Sequence, residues 1–336
     1  MLRLVGFELK KLLRNGLLIG MTVLLCIVNF CKIYSGYARE NTAEGYREGY
    51  FAMYEKVSGP WDTEKIRWVI AEYEKARAIV AAGNYATEPH QPGTYTGYIF
   101  GDCGLLGEIK DRMDTLYHYD QTVSALTQKA NENAAFYTQK GNAADAAKNQ
   151  KIAQTYGGRH VPAFYDTWGI SAYLKYDLST LLILIVLIPM LSPLFAREHE
   201  NGMHGLNLLT PQYRKLPLAK LIAGAFAVLI VSMIFFAEDL IAFRILYHIR
   251  GFSQPVYSLP EHFYSTLSCT VSEYILLLDA LKVLCFFVLG AICAGISACV
   301  RNELIPFCIS SAAALILLLV NVLSESKMLT VINPVV

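Results

Sequence analysis

Five stretches of this chain stay apolar for long enough to cross a bilayer, and that leaves little choice of fold. They lie at 16–34 and at about 177–196, 221–237, 276–300 and 304–323, each near the length of helix that a hydrocarbon core of about 30 Å requires. Backbone groups inside such a core must bond to one another. The runs are therefore predicted as helices, and the chain as an all-α integral membrane protein. Composition agrees, with 54% hydrophobic and only 17% charged residues, too apolar for an ordinary soluble domain. A net charge of +1 excludes a nucleic-acid binder, which needs a basic excess to track phosphates. Of the eight cysteines, Cys26, Cys31, Cys285, Cys293, Cys299 and Cys308 lie in or beside apolar runs, leaving Cys103 and Cys269 outside them. No disulfide framework can be read from that distribution.

Orientation follows from charge. Residues 1–15 (MLRLVGFELKKLLRN) place Leu2, Val5, Leu9 and Leu12 on one helical face, with Arg3, Lys10, Lys11 and Arg14 elsewhere around it. This is either an amphipathic helix lying in the interface or a basic flank that orients the first span, and both put the N-terminus in the cytoplasm. Arg197, Arg214, Lys215, Lys220 and Arg301 then fall on the same side, in a loop at 197–220 and a tight turn after the fourth span. Five spans from an inside start leave the C-terminus outside.

Between spans one and two the composition changes. Residues 34–176 hold 16 of the 21 tyrosines and all three tryptophans, with balanced charge. A helical extracytoplasmic domain at 35–176 is predicted. Pro60-Trp61-Asp62-Thr63-Glu64 reads as a helix start, followed by Ile66, Val69, Ile70, Tyr73, Arg77 and Val80 at helical spacing and a stop at Gly83-Asn84. Residues 88–101 read as a loop. Leu106, Ile109, Met113, Leu116, Val123 and Leu126 predict one long helix over 105–137, with another at 141–151 ended by Gly157-Gly158.

Several features mark the spans themselves. Pro189 and Pro193 should bend the second span as it reaches the 197–220 loop. Glu238 and Asp239 close the third span, and Asp279 and Lys282 form an i, i+3 pair near the outer end of the fourth. These four charges either sit at the outer interface or line a polar cavity. Residues 247–272 form a second, short outer segment. Gly290, Ala294 and Ala298 make a small-residue stripe for close helix packing.

Catalytic chemistry is not legible. The phosphate loop G-x-x-x-x-G-K-[ST] occurs nowhere in the sequence. His199, Glu200 and His204 superficially suggest zinc, but a five-residue spacing sets the two imidazoles about 140° apart on a helix. No metal, cofactor or catalytic residue is therefore assigned, and no enzyme is expected.

The loop carries a resemblance. An amphipathic basic N-terminal helix, a first span, and a second span running into Phe195, Glu198 and Gly202, then Leu208-Leu209-Thr210-Pro211, Arg214, Lys215 and Lys220 before a third span, resembles the permease subunits of type-2 ATP-binding-cassette exporters. The topology extends the likeness over nearly the whole chain. Met203 stands where such permeases often carry Thr, and their usual six spans imply a sixth beyond Val336 or a truncated form.

The resemblance implies a multi-pass protein of the cytoplasmic membrane, of bacterial type, that exports an amphipathic or apolar substrate. ATP and Mg would be held by a separate cytoplasmic ATPase, and a second permease copy or a sister chain would complete the pore. The coupling helix would be about 198–209. Glu198, His199, Glu200, Gly202, Leu208, Leu209, Thr210, Arg214 and Lys215 would form the docking loop. An alternative reading is a membrane-anchored receptor whose outer domain binds a peptide or envelope component without transport.

Overall fold

A computed structural model describes residues 1–39, 45–83, 93–203, 205, 209 and 213–323, the side chains of 317–323 excepted. The described chain is helical apart from one two-stranded ribbon and short turns. It divides into two compact units, one made of Met1–Ser35, Ala172–Leu246 and Ile275–Val336, the other of Gly36–Ser171 and Tyr247–Tyr274.

The first unit is a bundle of apolar helices. Among the described residues four are long and apolar enough to cross a membrane: Gly16–Arg39, the run Trp168–Glu200, Tyr213–Leu246 and Val271–Cys299. This is a multi-pass membrane protein. The elements are α1 (Leu2–Leu13), α2 (Gly16–Arg39), α9 (Leu178–Leu191), α10 (Ala196–Glu200), α11 (Leu216–Leu246), α12 (Val271–Cys299) and α13 (Leu304–Leu323), while α8 (Trp168–Leu174) is divided between the units after Ser171. In α9, Leu182, Ile183, Leu184, Val186 and Leu187 are all buried, so it is enclosed nearly all round and forms the central column. Its packing partners are Ala227, Val228, Val231, Phe235 and Phe236 of α11 and Phe286 and Cys293 of α12. The most apolar windows of α12 and α2 are only 11% and 17% buried, against 61% for the run through α9. Their outward faces are left for lipid or another chain. The small-residue stripe packs within the chain, with Gly290 against Leu191 and Val228.

The amphipathic N-terminal helix α1 lies on the start of α11, where Val5, Ala219 and Ala223 share a small core with Leu4, Leu9 and Leu12.

The second unit holds α3 (Tyr46–Val57), α4 (Thr63–Ala81), α5 (Ile99–Tyr117), α6 (Tyr119–Gln139) and α7 (Ala143–Tyr156). Its ribbon pairs β1 (Gly59–Pro60) with β2 (Ala163–Phe164), antiparallel. Asp62 caps α4 by accepting a hydrogen bond from the Glu64 N–H at 2.9 Å. The buried stripe of α4 runs through Val69 and Ala76, while the Arg77 side chain is 63% exposed. The expected Ile66, Val69 and Tyr73 do face the core; the stripe departs from expectation at Arg77, whose place is taken by Ala76.

The single helix expected over 105–137 is two helices. The chain turns at His118 (φ −95°, ψ 14°), which ends α5 and starts α6, and α6 then packs chiefly on α7. Of the loop expected at 88–101, residues 88–92 lie outside the described residues. Residues 95–96 are stitched down by Asp102, which is 3% exposed and accepts from the Tyr95 and Thr96 N–H groups, both at 2.7 Å. They cross α3 at Gly49, where any Cβ would run into the Tyr95 carbonyl.

The 247–272 segment is part of this unit, where the sequence suggested a separate stretch. Buried Arg159 donates to the carbonyls of Ser265 (2.7 Å) and Thr266 (2.9 Å) and to the Ser268 hydroxyl (2.9 Å). Its guanidinium lies over the rings of Tyr156 and Tyr257, and Tyr257 stacks on Tyr119 with centroids 5.0 Å apart. The compact unit therefore takes in Tyr247–Tyr274 and ends its first segment at Ser171. The 35–176 domain expected from sequence ran past that boundary and omitted the second segment.

Candidate functional site

The site begins with a broken helix. Proline lacks an N–H and its ring clashes with the preceding turn, and Pro189 and Pro193 together stop α9 at Leu191; helix resumes only at Ala196. The bend expected from sequence is thus a full interruption. Backbone groups freed inside a membrane protein need new partners. Here the Phe195 and Ala196 N–H groups both donate to the hydroxyl of Ser297 on α12, at 3.0 and 3.1 Å. The Leu194 carbonyl accepts from Nζ of Lys220 on α11, at 2.9 Å.

Lys220 is 1% exposed, and its second bond is an ion pair to Glu198 Oε2 at 2.6 Å. The other oxygen of Glu198 meets Nζ of Lys11 on α1 at 3.3 Å. One carboxylate on a five-residue helix therefore joins the amphipathic helix to a bundle helix. The Lys220 ammonium also lies 5.1 Å from the centre of the Phe195 ring. A buried charge is tolerated only when paired and hydrogen-bonded, and Lys220 meets both conditions through groups set in place by the helix break.

The far end of α10 is tied as well. Glu200 accepts the Glu303 N–H at 2.9 Å, and Arg197 pairs with Glu303 at 3.3 Å, fixing α10 to the entry of α13. Glu198 forms part of the wall of two cavities. One, of about 220 Å³, is bordered by Glu8, Lys11, Arg197 and Glu303. The other, of about 570 Å³, is bordered by Phe195, His199, Tyr213, Lys220 and Ala294.

The remaining loop positions are less drawn together. Gly202 has φ +68°, a left-handed conformation suited to glycine just past a helix end. Leu209 is 82% exposed. Arg214 and Lys215 are exposed in the turn Tyr213–Lys215, with Arg214 bonded to the Tyr213 hydroxyl at 2.9 Å. His204, Leu206, Leu208, Thr210 and Pro211 lie outside the described residues. Among the described residues no group of three metal-ligating side chains occurs.

A second polar network involves the other predicted charges. Asp239, 3% exposed, accepts from Nδ2 of Asn29 at 2.7 Å, and the Tyr176 hydroxyl donates to Oδ1 of the same Asn29 at 2.7 Å. Asp279 meets the Tyr173 hydroxyl at 3.4 Å, and Lys282 pairs with Asp177, the residue before α9, at 3.1 Å. Asp239, Asp279 and Lys282 thus each bond outside their own helix.

No family model, curated protein or solved structure matches this chain.

Sequence reading missed Ser297 entirely. A serine inside an apolar helix carries no signal until the helix break opposite it is known. Lys11 and Lys220 were legible only as charges on one side of the membrane. The one hint to the role of Lys220 was its position directly before a long apolar run.

Proposed function

We propose that this chain is the membrane-spanning permease of an exporter driven by a separate cytoplasmic ATPase, and that the α10 segment receives the push. The observation that carries the reading is the bridging of Glu198 between Lys11 and Lys220. A loop that only obeyed the charge rule would need no buried ion pair. A loop that must transmit displacement needs rigid joints to several helices, and α10 has them to α1, α11, α12 and α13.

In this reading α10 faces the cytoplasm with the N-terminus, the chain crosses the membrane five times, and a second permease completes the pore. The substrate is amphipathic or apolar, and alternating access switches two packings of the bundle. Coupling is an equilibrium between those packings biased by ATP binding in the partner.

Affinity purification of the full chain from its native membrane should recover an ATPase with it. Glu198→Arg should leave ATP turnover in that complex but abolish ATP-dependent export. An ATPase-free preparation with a silent Glu198→Arg substitution would overturn the reading.

A further inference from the structure

We propose that Ser297 is a positioning residue that makes α10 and α12 move as one body, an inference that rests on the coupling role given to α10 above. Its hydroxyl accepts two consecutive backbone N–H groups, those of Phe195 and Ala196, at the point where the interrupted helix restarts. Ser297 and Ala196 are both 0% exposed, so water cannot replace either bond without the segment opening. The joints Lys11–Glu198 and Arg197–Glu303 are side-chain ion pairs. Long side chains can follow a moving partner by changing rotamer. Ser297 has a single rotatable carbon–oxygen arm and grips the backbone itself, so a shift of α10 either carries α12 with it or breaks both bonds together. The most apolar window of α12 is also the least covered by the rest of the chain among the four long apolar helices described.

The test is a double-mutant cycle read by hydrogen exchange on the full chain in lipid nanodiscs. Glu198→Gln weakens the Lys220 and Lys11 joints and should speed exchange by about tenfold both at 195–200 and in the last turn of α12, 295–299. In the Ser297→Ala background, Glu198→Gln should still act on 195–200 but leave 295–299 unmoved. Ser232→Ala removes a hydroxyl that is 0% exposed and has no hydrogen-bond partner among the described residues, and in that background the effect at 295–299 should persist. Ser297→Cys, similar in size with a weaker acceptor, should give an intermediate response and serves if the alanine variant does not fold. Equal responses at 295–299 with and without the Ser297 hydroxyl would overturn the proposal, as would no response in either. In a preparation that contains the ATPase, Ser297→Ala should lower transport per ATP hydrolysed by about tenfold, and an unchanged ratio would reduce Ser297 to a structural residue. Absence of any ATPase would instead sink the exporter reading and leave the exchange result standing.

Discussion

Lys220 and Asp239 are both buried side chains of α11, about 28 Å apart at the rise of an α-helix. That separation is close to the thickness of a bilayer core. Each is held by residues of other helices, Lys220 by Glu198 and Leu194, Asp239 by Asn29. Between them the α11 positions that face the bundle are apolar or small, apart from Ser232. The helix is thus pinned at both edges of the hydrocarbon, where polar groups are least expensive, and left greasy between.

Removing one member of a buried ion pair strands the other. Glu198→Gln should lower the stability of the purified protein by about 3 kcal/mol, because Lys220 loses its counter-charge at 1% exposure. Lys11→Met should cost under about 1 kcal/mol, since Lys11 is 46% exposed and its attraction is screened. Thermal unfolding in one detergent checks the order, and equal losses would contradict it.

Gly49→Ala should destabilise the tyrosine-rich unit by about 3 kcal/mol or abolish its folding. The obstruction is backbone, the Tyr95 carbonyl, held in place by the Asp102 hydrogen bonds, so it cannot rotate aside. Gly104→Ala, with open space around the position, should gain a few tenths of a kcal/mol from helix propensity. Comparing the two variants in denaturant titrations separates the collision from any generic effect of alanine.

Arg159→Lys should fail to preserve the unit despite keeping its charge. One ammonium cannot reproduce a planar guanidinium that bonds Ser265, Thr266 and Ser268 between two tyrosine rings. Limited proteolysis should then cut within 264–268 at least tenfold faster than in the parent chain, through a raised population of the open segment.

Alkaline pH should weaken the same unit. Burial raises the Tyr54 phenol from its ordinary value of 10 to about 12, against the opposing pull of Arg112, and burial also raises that of Tyr50, which donates a hydrogen bond to Asp166. A group whose folded pKa is raised contributes stability that is complete below its unfolded pKa and is lost as pH climbs through the folded one. For Tyr54 the window is pH 10 to about 12, and its loss amounts to roughly 2 to 3 kcal/mol by the upper end. Tyr54→Phe should flatten the stability profile across that window. Tyrosinate absorbance compared between the parent chain and Tyr54→Phe across that window gives an independent check.

What could be read from sequence was whatever local composition and period control. Apolar runs located the membrane helices, and Asp62 marked the start of α4. The His118 break was invisible because the apolar spacing of Met113, Leu116 and Val123 continues through it; the turn is made by the pairing of α6 with α7, a tertiary preference. Arg159 looked like an isolated charge after a Gly-Gly stop, since its three acceptors lie about a hundred residues further on. At the α10 site, Glu198 stood out by its place in a charged loop. Its partners did not, because Lys11, Lys220 and Ser297 come from three separate helices and meet only after the bundle closes.

The tyrosine-rich unit is assembled from two pieces of chain with the Ala172–Leu246 helices between them. During synthesis Tyr119, Tyr156 and Arg159 leave the ribosome well before Tyr257, the carbonyls of Tyr264, Ser265 and Thr266 and the Ser268 hydroxyl that they contact. The unit therefore cannot complete its core until α9 and α11 have been made and the chain has returned from them. A nascent chain whose later helices fail to integrate therefore carries a tyrosine-rich unit whose core is still open.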